Sequence, residues 1–115
     1  MKRIMLFIAA SSAVFTISTS AKDSYPAWVK THIQRLHKGP LGNPAHSIWQ
    51  YQYRGKTVYY VPPQCCDIPS ALYDAKQKRI CSPDGGMTGA GDGKCADFYQ
   101  TRKAEKRIWQ DSRQR

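Results

Sequence analysis

Four cysteines constrain this chain more than any other feature, because they lie close together in a sequence too short to build a large core. Cys65 and Cys66 are adjacent, Cys81 follows a polar segment, and Cys95 follows a glycine-rich one. A domain of about 100 residues buries only a modest apolar core and often depends on covalent links. We therefore expect two structural disulfides that staple a small fold.

The pairing of these cysteines is only partly determined by their spacing. Four cysteines allow three pairings. A bond between the neighbours Cys65 and Cys66 would close a strained ring, so we expect each of them to pair with Cys81 or Cys95, in either order. No C-x-x-C motif occurs, which disfavours a zinc site or a redox thiol pair. We expect no metal and no cofactor.

The first residues have the pattern of a secretory signal peptide. Lys2 and Arg3 precede an apolar run over residues 4–17, and small residues follow at 19–21. The run is shorter than the roughly 20 apolar residues that a membrane-spanning helix needs. We predict a signal peptide at residues 1–21, no transmembrane segment after cleavage, and export to the periplasm or the extracellular medium.

The remaining sequence predicts an α+β fold over residues 22–98. Apolar residues recur at helical spacing over 26–38. Alternating segments at 48–53 and 57–61 flank a short turn, and shorter segments at 72–74 and 79–81 flank another, which predicts two β-hairpins. We expect the N-terminal helix to pack on an antiparallel sheet of three or four strands. Residues 99–115 are predicted to form a basic C-terminal tail or a short helix.

The first hairpin is rich in aromatic residues that share one face by the two-residue period of a strand. Trp49, Tyr51, Tyr53 and either Tyr59 or Tyr60 line up in this way. They could form the face that packs on the helix, since a small domain with few aliphatic residues builds its core from aromatics. The alternative is an exposed platform, and we keep Tyr51, Tyr53 and Tyr59 as binding candidates.

The segment between Cys81 and Cys95 is rich in glycine and aspartate. Such residues form turns, and the aspartates can accept hydrogen bonds from backbone amides. They could alternatively bind calcium, although the spacing is not that of an EF-hand, or the loop over residues 83–93 could contact a partner. The loop's binding candidates are Asp84, Gly85, Gly86, Thr88 and Asp92.

The charge of the chain favours anionic partners. The sequence carries a net charge of +10, or +8 once Lys2 and Arg3 are removed. Such a charge attracts acidic glycans, phospholipid headgroups or nucleic acid, and predicted export makes nucleic acid an unexpected partner.

Neither a nucleophile elbow nor a phosphate-binding glycine motif is present, so we do not expect an enzyme. We expect a monomer.

The central sequence resembles a small family of bacterial exported domains of unknown function. The resemblance covers roughly residues 26–98 and implies a compact domain in the envelope or outside the cell, without implying an activity. Family members often resemble lipoproteins, whereas this chain has no anchor cysteine near its predicted cleavage site and adds a basic tail. The matching segments are Val58-Tyr59-Tyr60, Cys65-Cys66-Asp67, Leu72-Tyr73-Asp74, Ile80–Gly86, Thr88–Gly93 and Cys95–Phe98.

Taken together, these patterns indicate an exported, non-catalytic domain that binds a protein or an anionic envelope component. Two alternatives remain open from sequence. The loop at 83–93 could be the contact surface of a secreted hydrolase inhibitor, because a disulfide-bounded loop is ordered before it binds. The domain could also be a calcium-dependent structural module.

Overall fold

A computed structural model describes residues 24–114, which form two helices and five strands. The predicted signal peptide at residues 1–21 lies outside the described residues. The elements, in chain order, are α1 (Ala27–Lys38), β1 (Ser47–Tyr53), β2 (Lys56–Val61), β3 (Ala71–Asp74), β4 (Arg79–Cys81), α2 (Phe98–Thr101) and β5 (Lys103–Gln110).

The five strands form one antiparallel sheet in the order β4-β3-β2-β1-β5. This confirms the predicted α+β class, with five strands instead of the three or four expected. Both predicted hairpins are present, because each pairs segments of alternating apolar residues across a short polar turn. The first hairpin fixes its register by pairing Tyr51 with Val58 and Tyr53 with Lys56.

The turn of the first hairpin has an uncommon residue in it. Arg54 and Gly55 both have positive φ angles, of 52° and 74°. Two such residues between paired strands form a type I′ turn, which matches the twist of the strands and favours Asn-Gly or Asp-Gly. Glycine adopts this conformation freely, whereas a long side chain such as that of Arg54 rarely does.

The prediction for residues 99–115 is wrong. Phe98–Thr101 forms a single helical turn, and Lys103–Gln110 forms β5, which pairs with β1 through Gln50 opposite Lys106 and Gln52 opposite Lys103. Lysine, glutamate, alanine and arginine favour helices when isolated, but cross-strand pairing decides the conformation here. The predicted boundary at residue 98 is therefore also wrong, because the sheet includes β5.

The chain end after β5 is tied to the end of α1. The Arg113 guanidinium donates to the carbonyl oxygens of Leu36 and Gly39, each at 3.1 Å, and to the Asp111 carboxylate at 2.7 Å. The last carbonyls of a helix have no partner within the helix, and a cation is favourable beside them. Arg113 therefore holds α1 and the end of β5 together.

The sheet is covered on both faces, and α1 covers the one that was not predicted. Val29 of α1 packs against Ile48 and Tyr59, and all three are at most 2% exposed. We call this side the helix face. The expectation that α1 packs on the face of Trp49, Tyr51 and Tyr53 is wrong, because successive strand residues alternate between faces and those three lie on the opposite side.

The second side, which we call the tyrosine face, is covered by α2 and by the glycine-rich chain that precedes it. The Phe98 ring is fully buried and lies 5.3 Å from the ring centres of Tyr51 and Tyr53, and 5.6 Å from that of Tyr60. A domain with few aliphatic residues thus fills this half of its core with aromatic rings.

The disulfides differ from the predicted pairing. Cys81 bonds Cys95, with their Cα atoms 6.1 Å apart, and Cys65 bonds its neighbour Cys66. Cys81 and Cys95 are both 2% exposed in the core of the tyrosine face, whereas Cys65 and Cys66 are exposed in the connection after β2. The expected links between the doublet and Cys81 or Cys95 are therefore wrong, because the two pairs lie in different environments.

Candidate anion-binding site

The antiparallel topology divides the sheet into two chemically different ends. At one end lie the β1–β2 turn (residues 54–55), the β3–β4 turn (75–78) and the start of β5 at Lys103. We call it the turn end. At the opposite end, which we call the loop end, lie the long connections at 39–46, 62–70 and 82–93.

Three tyrosines of the tyrosine face each donate a hydrogen bond to a carboxylate. The Tyr51 hydroxyl donates to Glu105 at 2.6 Å, and the Tyr53 hydroxyl donates to Asp97 at 2.5 Å. The Tyr60 hydroxyl donates to Asp84 at 2.7 Å. These bonds satisfy hydroxyls that would be costly to bury alone, and they also occupy three of the domain's few carboxylates.

The pKa values reflect this pairing. Burial raises the pKa of Tyr51 and of Tyr60, and the hydrogen bonds to their neighbours raise it further. The hydrogen bond from Tyr53 lowers the pKa of Asp97, with a further contribution from the Arg54 guanidinium. Around neutral pH the tyrosines are therefore neutral donors and Asp97 is an ionised acceptor.

A first groove opens at the turn end between β2 and β4, with a volume of 480 Å³. Tyr53, Val58 and Ile80 supply its apolar side chains. Its charged lining residues are Arg54, Lys56, Lys78, Arg79 and Asp74. The Asp74 carboxylate accepts bonds from the amides of residues 76 and 78, at 2.8 and 2.9 Å. These bonds lower the pKa of Asp74, and the bond from the amide of residue 78 has the larger effect.

A second groove, of 600 Å³, lies on the other side of the β1–β2 turn. Gln52 of β1 and the last two residues of α2, Gln100 and Thr101, line it, together with Arg102, Lys103 and Asp97. The Arg102 guanidinium lies 4.9 Å from the Tyr51 ring centre and 4.7 Å from that of Tyr99. Cation–π contacts of this kind hold a guanidinium in place without neutralising its charge.

Arg54 lines both grooves and therefore lies between them. Its guanidinium is 4.8 Å from the centre of the Tyr53 ring and 3.0 Å from the Asp97 carboxylate. The side chain is 59% exposed, so this ion pair contributes at most about 1 kcal/mol to stability. Arg54 is thus oriented by its neighbours but remains open to solvent and to a ligand.

The charges of the two grooves do not balance. Six cationic side chains line them, against the two carboxylates Asp74 and Asp97, which already accept hydrogen bonds. Within residues 24–114 the ion pairs are Arg54–Asp97 and Arg113–Asp111. The arrangement can therefore bind anions, and it is unfavourable for cations.

The structure does not bring the predicted aromatic candidates into one site. Tyr51 and Tyr53 are 3% exposed and Tyr59 is 2% exposed, so their rings are core residues. Tyr59 also lies on the helix face, away from the other two. The exposed aromatic platform is therefore wrong: the three rings are core residues, although Tyr51 and Tyr53 pack on Phe98 and not on α1.

The polar candidates of the glycine loop are used to build the loop itself. The Asp92 carboxylate accepts from the amides of Ser82 and Lys94, at 3.0 Å each, which lowers its pKa, the Lys94 bond first. The Thr88 hydroxyl accepts from the amide of Ala90 at 3.2 Å. The Asp84 carbonyl accepts from Ser70. Substitutions of these residues would change the structure of the loop, so a resulting loss of binding would not identify a contact residue.

The glycines of this loop allow close contacts at the loop end. Gly85 has a φ of 76° and lies against Pro63 and Pro69, where a Cβ atom would clash. Gly86 also has a positive φ, a conformation that glycine adopts without strain. Met87 is 89% exposed at the tip. Met87, which was not a predicted candidate, is therefore an exposed apolar side chain at the tip, next to the exposed candidate Thr88.

In the described part of the chain, no group of three or more histidine, cysteine or acidic side chains lies close enough together to hold a metal ion. Over the same residues, no helix is both long enough and apolar enough to cross a membrane.

The fold and the site define a class: a small disulfide-stapled α+β domain with a cationic end. The chain belongs to the family described as "Domain of unknown function (DUF6970)", whose profile matches residues 34–111. No curated protein and no solved structure matches the chain. The match runs past residue 98 to the end of β5. Residues 99–111 are therefore part of the family's domain and not an addition to it.

Sequence reasoning missed most of the turn end. The cluster of Lys76, Lys78 and Arg79 and the basic character of the C-terminal segment are visible in the sequence. Lys78 and Arg79 meet Arg54 and Lys56 because β3 pairs with β2. Lys103 joins them through the pairing of β5 with β1, which was not predicted. The one local signal was an arginine before Gly55 in a two-residue turn, where asparagine or aspartate is favoured.

Proposed function

We propose that this protein is an exported, non-catalytic module that binds an anionic component of the cell envelope through its turn end. One observation carries the proposal: six cations line two adjoining grooves whose two carboxylates already accept hydrogen bonds. The predicted signal peptide and the two disulfides support an exported, oxidised product.

Shape supports a binding role over a purely solubilising one. A cationic surface that serves only solubility has no need of concave grooves, whereas a ligand site does. The first groove combines one partly exposed apolar side chain, Ile80, with a cationic rim. This combination suits an anionic group carried on a less polar framework, such as a substituted sugar.

A charge-matched pair of variants tests the location of the site. The turn-end variant carries Lys56→Gln, Lys78→Gln and Lys103→Gln. The control carries Lys30→Gln, Lys38→Gln and Lys94→Gln, which are exposed and lie outside both grooves. Both variants lose three positive charges, so net charge is equal, and binding to an isolated envelope fraction and to an immobilised anionic polymer is measured for each.

Each lost contact to an anionic group weakens binding. We expect the turn-end variant to bind about tenfold or more weakly than the wild type, since three contacts at about 0.5–1 kcal/mol each are removed. The control should remain within about twofold. Equal losses in both variants would show that binding follows net charge alone, and would overturn the proposed site.

A second candidate function, the binding of a protein through the loop at 83–93, has one observation in its favour. Met87 is 89% exposed on a loop that the Cys81–Cys95 bond and internal hydrogen bonds hold in place. A rigid loop with an apolar tip suits a protein partner, including a hydrolase to be inhibited. Met87→Gln should abolish such binding while leaving the melting temperature unchanged. Inhibition assays with Met87→Gln and wild type would test the inhibitor alternative.

A further inference from the structure

The cations of the turn end form a band that crosses the full width of the sheet. Lys78 lies just before β4, Lys56 at the start of β2, Arg54 at the end of β1 and Lys103 at the start of β5. The Arg79 guanidinium is not part of the band, because it donates to Ser70 and Ser82 at the loop end. Neighbouring strands are about 4.8 Å apart, so the four gaps from β4 to β5 span about 19 Å. The band is therefore much longer than a single ion pair.

This length determines which kind of anion can use the whole band. An ion pair joins atoms within about 4 Å of each other, so a small lone anion contacts the cations of one groove only. A chain with an anionic group on successive units can place one group in each groove, and the second contact is then intramolecular. We propose that the ligand is a linear polyanion that lies across the turn end, from the β2–β4 groove over Arg54 into the α2–β5 groove.

The conformation of Arg54 supports a binding role for this residue. A non-glycine residue in the left-handed region costs about 1 kcal/mol or more, and asparagine would fit the same turn position better. The ion pair between Arg54 and Asp97 is exposed and offsets only a small part of this conformational cost. Arg54 is strained, lies between two grooves and adds little to stability. Residues of this kind are typical of binding sites.

Nucleic acid is a linear polyanion too, but the site lacks the means to read it. Single-stranded nucleic acid binds by stacking bases on exposed aromatic side chains. The tyrosines beside the grooves, Tyr51 and Tyr53, are 3% exposed. Tyr99 is 41% exposed, but the Arg102 guanidinium covers its ring at 4.7 Å. The favoured ligand is therefore a polymer with repeating phosphate or carboxylate groups and no bases.

The inference rests on the proposed function, and a chain-length series separates the two. Oxidised wild-type protein is titrated with inorganic phosphate, pyrophosphate and linear polyphosphates of increasing length, with a carboxylate polymer and an oligonucleotide of matched charge as further arms. We expect affinity per chain to rise about a hundredfold once the chain spans both grooves, as for a linked second contact. The logarithm of affinity should fall with the logarithm of salt with a slope of roughly −3 to −4 for long chains and about −2 for pyrophosphate.

The outcomes are distinct. If pyrophosphate binds as tightly as long chains, the linear-polymer inference is wrong while anion binding stands. If none of the arms binds, the proposed function fails as well. An oligonucleotide that binds far more tightly than either base-free polymer overturns the assignment of ligand class. The phosphate and carboxylate arms show which anionic group the grooves prefer.

The variant Arg54→Asn tests the bridging residue directly. If Arg54 serves binding, this variant melts at the same temperature as the wild type or higher, because asparagine suits the turn. Its affinity for long polyphosphate should fall about tenfold, and its affinity for pyrophosphate should change less. A lower melting temperature with unchanged affinity would show that Arg54 is structural and would overturn its assignment.

Discussion

The two faces of the sheet are both buried, but they are closed by different chemistry. The helix face joins Val29 of α1 to Ile48 and Tyr59, and the Trp28 indole donates to a single carbonyl, that of Ala75, at 2.9 Å. The tyrosine face is closed by one ring, Phe98, and by three hydroxyl–carboxylate bonds. One face is held mainly by apolar contact, and the other needs charged acceptors as well.

This difference explains why the turn end is cationic. Residues 24–114 contain seven acidic side chains, and Asp84, Asp97 and Glu105 accept bonds from tyrosines of one face. Asp74 and Asp92 accept bonds from backbone amides, and Asp111 pairs with Arg113. Six of the seven acids, all except the exposed Asp67 at the loop end, are thus used inside the fold. The lysines of the turn end remain available for an external anion.

The largest expected effect comes from the ring that closes the tyrosine face. Phe98→Ala should reduce the free energy of unfolding by about 3–5 kcal/mol, because a fully buried ring is lost. Val29→Ala, at an equally buried position of the helix face, should cost about 2 kcal/mol. Urea unfolding measures both, with Phe98→Leu as a milder control. Equal costs for the two alanine variants would contradict the dependence of the tyrosine face on one ring.

The next largest difference is expected between the stability contributions of the two disulfides. Replacing Cys81 and Cys95 by alanine should cost about 2–4 kcal/mol, since their bond closes a 14-residue separation inside the core. Replacing Cys65 and Cys66 by alanine should cost under about 1 kcal/mol, because neighbouring residues close almost no loop. Thermal unfolding of the two double variants gives the comparison. A larger loss for the exposed pair would reverse the roles assigned to them.

Removing one tyrosine hydroxyl from each face compares the contribution of hydrogen bonding on the two faces. Tyr60→Phe removes bonds to Asp84 at 2.7 Å and to Tyr99 at 3.0 Å, which should cost about 1.5–3 kcal/mol because one partner is charged. Tyr59 is as buried, but burial alone raises its pKa, and its hydroxyl bonds no protein group in the described chain. Tyr59→Phe should therefore stay within about 0.5 kcal/mol of the wild type. Equal losses would show that the tyrosine face does not depend on its carboxylates.

The smallest expected effect is a dependence of stability on acid. The pKa of Asp97 is lowered by the Tyr53 hydroxyl and then by Arg54, and bonds from Arg113 lower the pKa of Asp111 to about 2. A lowered pKa contributes stability above the ordinary value of 3.8 that is lost as the pH falls through the folded value.

Melting temperatures measured from pH 6 to pH 2 test this dependence. The wild type should lose stability progressively below about pH 4. Asp111→Asn should be less stable at pH 6 and should lose less on acidification, because it has no proton to gain. Parallel pH profiles for the variant and the wild type would contradict the role given to this carboxylate.

Local sequence patterns predicted more of the fold than of the site. The helix and both hairpins follow from periodicity and turn residues, which act over a few positions. The face that α1 covers, the strand β5 and the cysteine pairing depend on contacts between distant segments. Lys103–Gln110 shows why: its residues favour a helix alone, and only pairing with β1 makes it a strand. The second groove could not be predicted because that pairing brings Lys103, which lines it, beside Gln52.

The most direct test of the account maps a polyanion onto the domain by nuclear magnetic resonance. Backbone amide shifts of the oxidised protein are followed during titration with a long linear polyphosphate. Amides near Lys78 and Lys103, on opposite sides of Arg54, should shift together along one saturation curve. Amides near Val29 on the helix face and Met87 at the loop end should not move. Shifts concentrated at Met87, or spread evenly over the exposed lysines, would contradict the binding of a polyanion across the turn end.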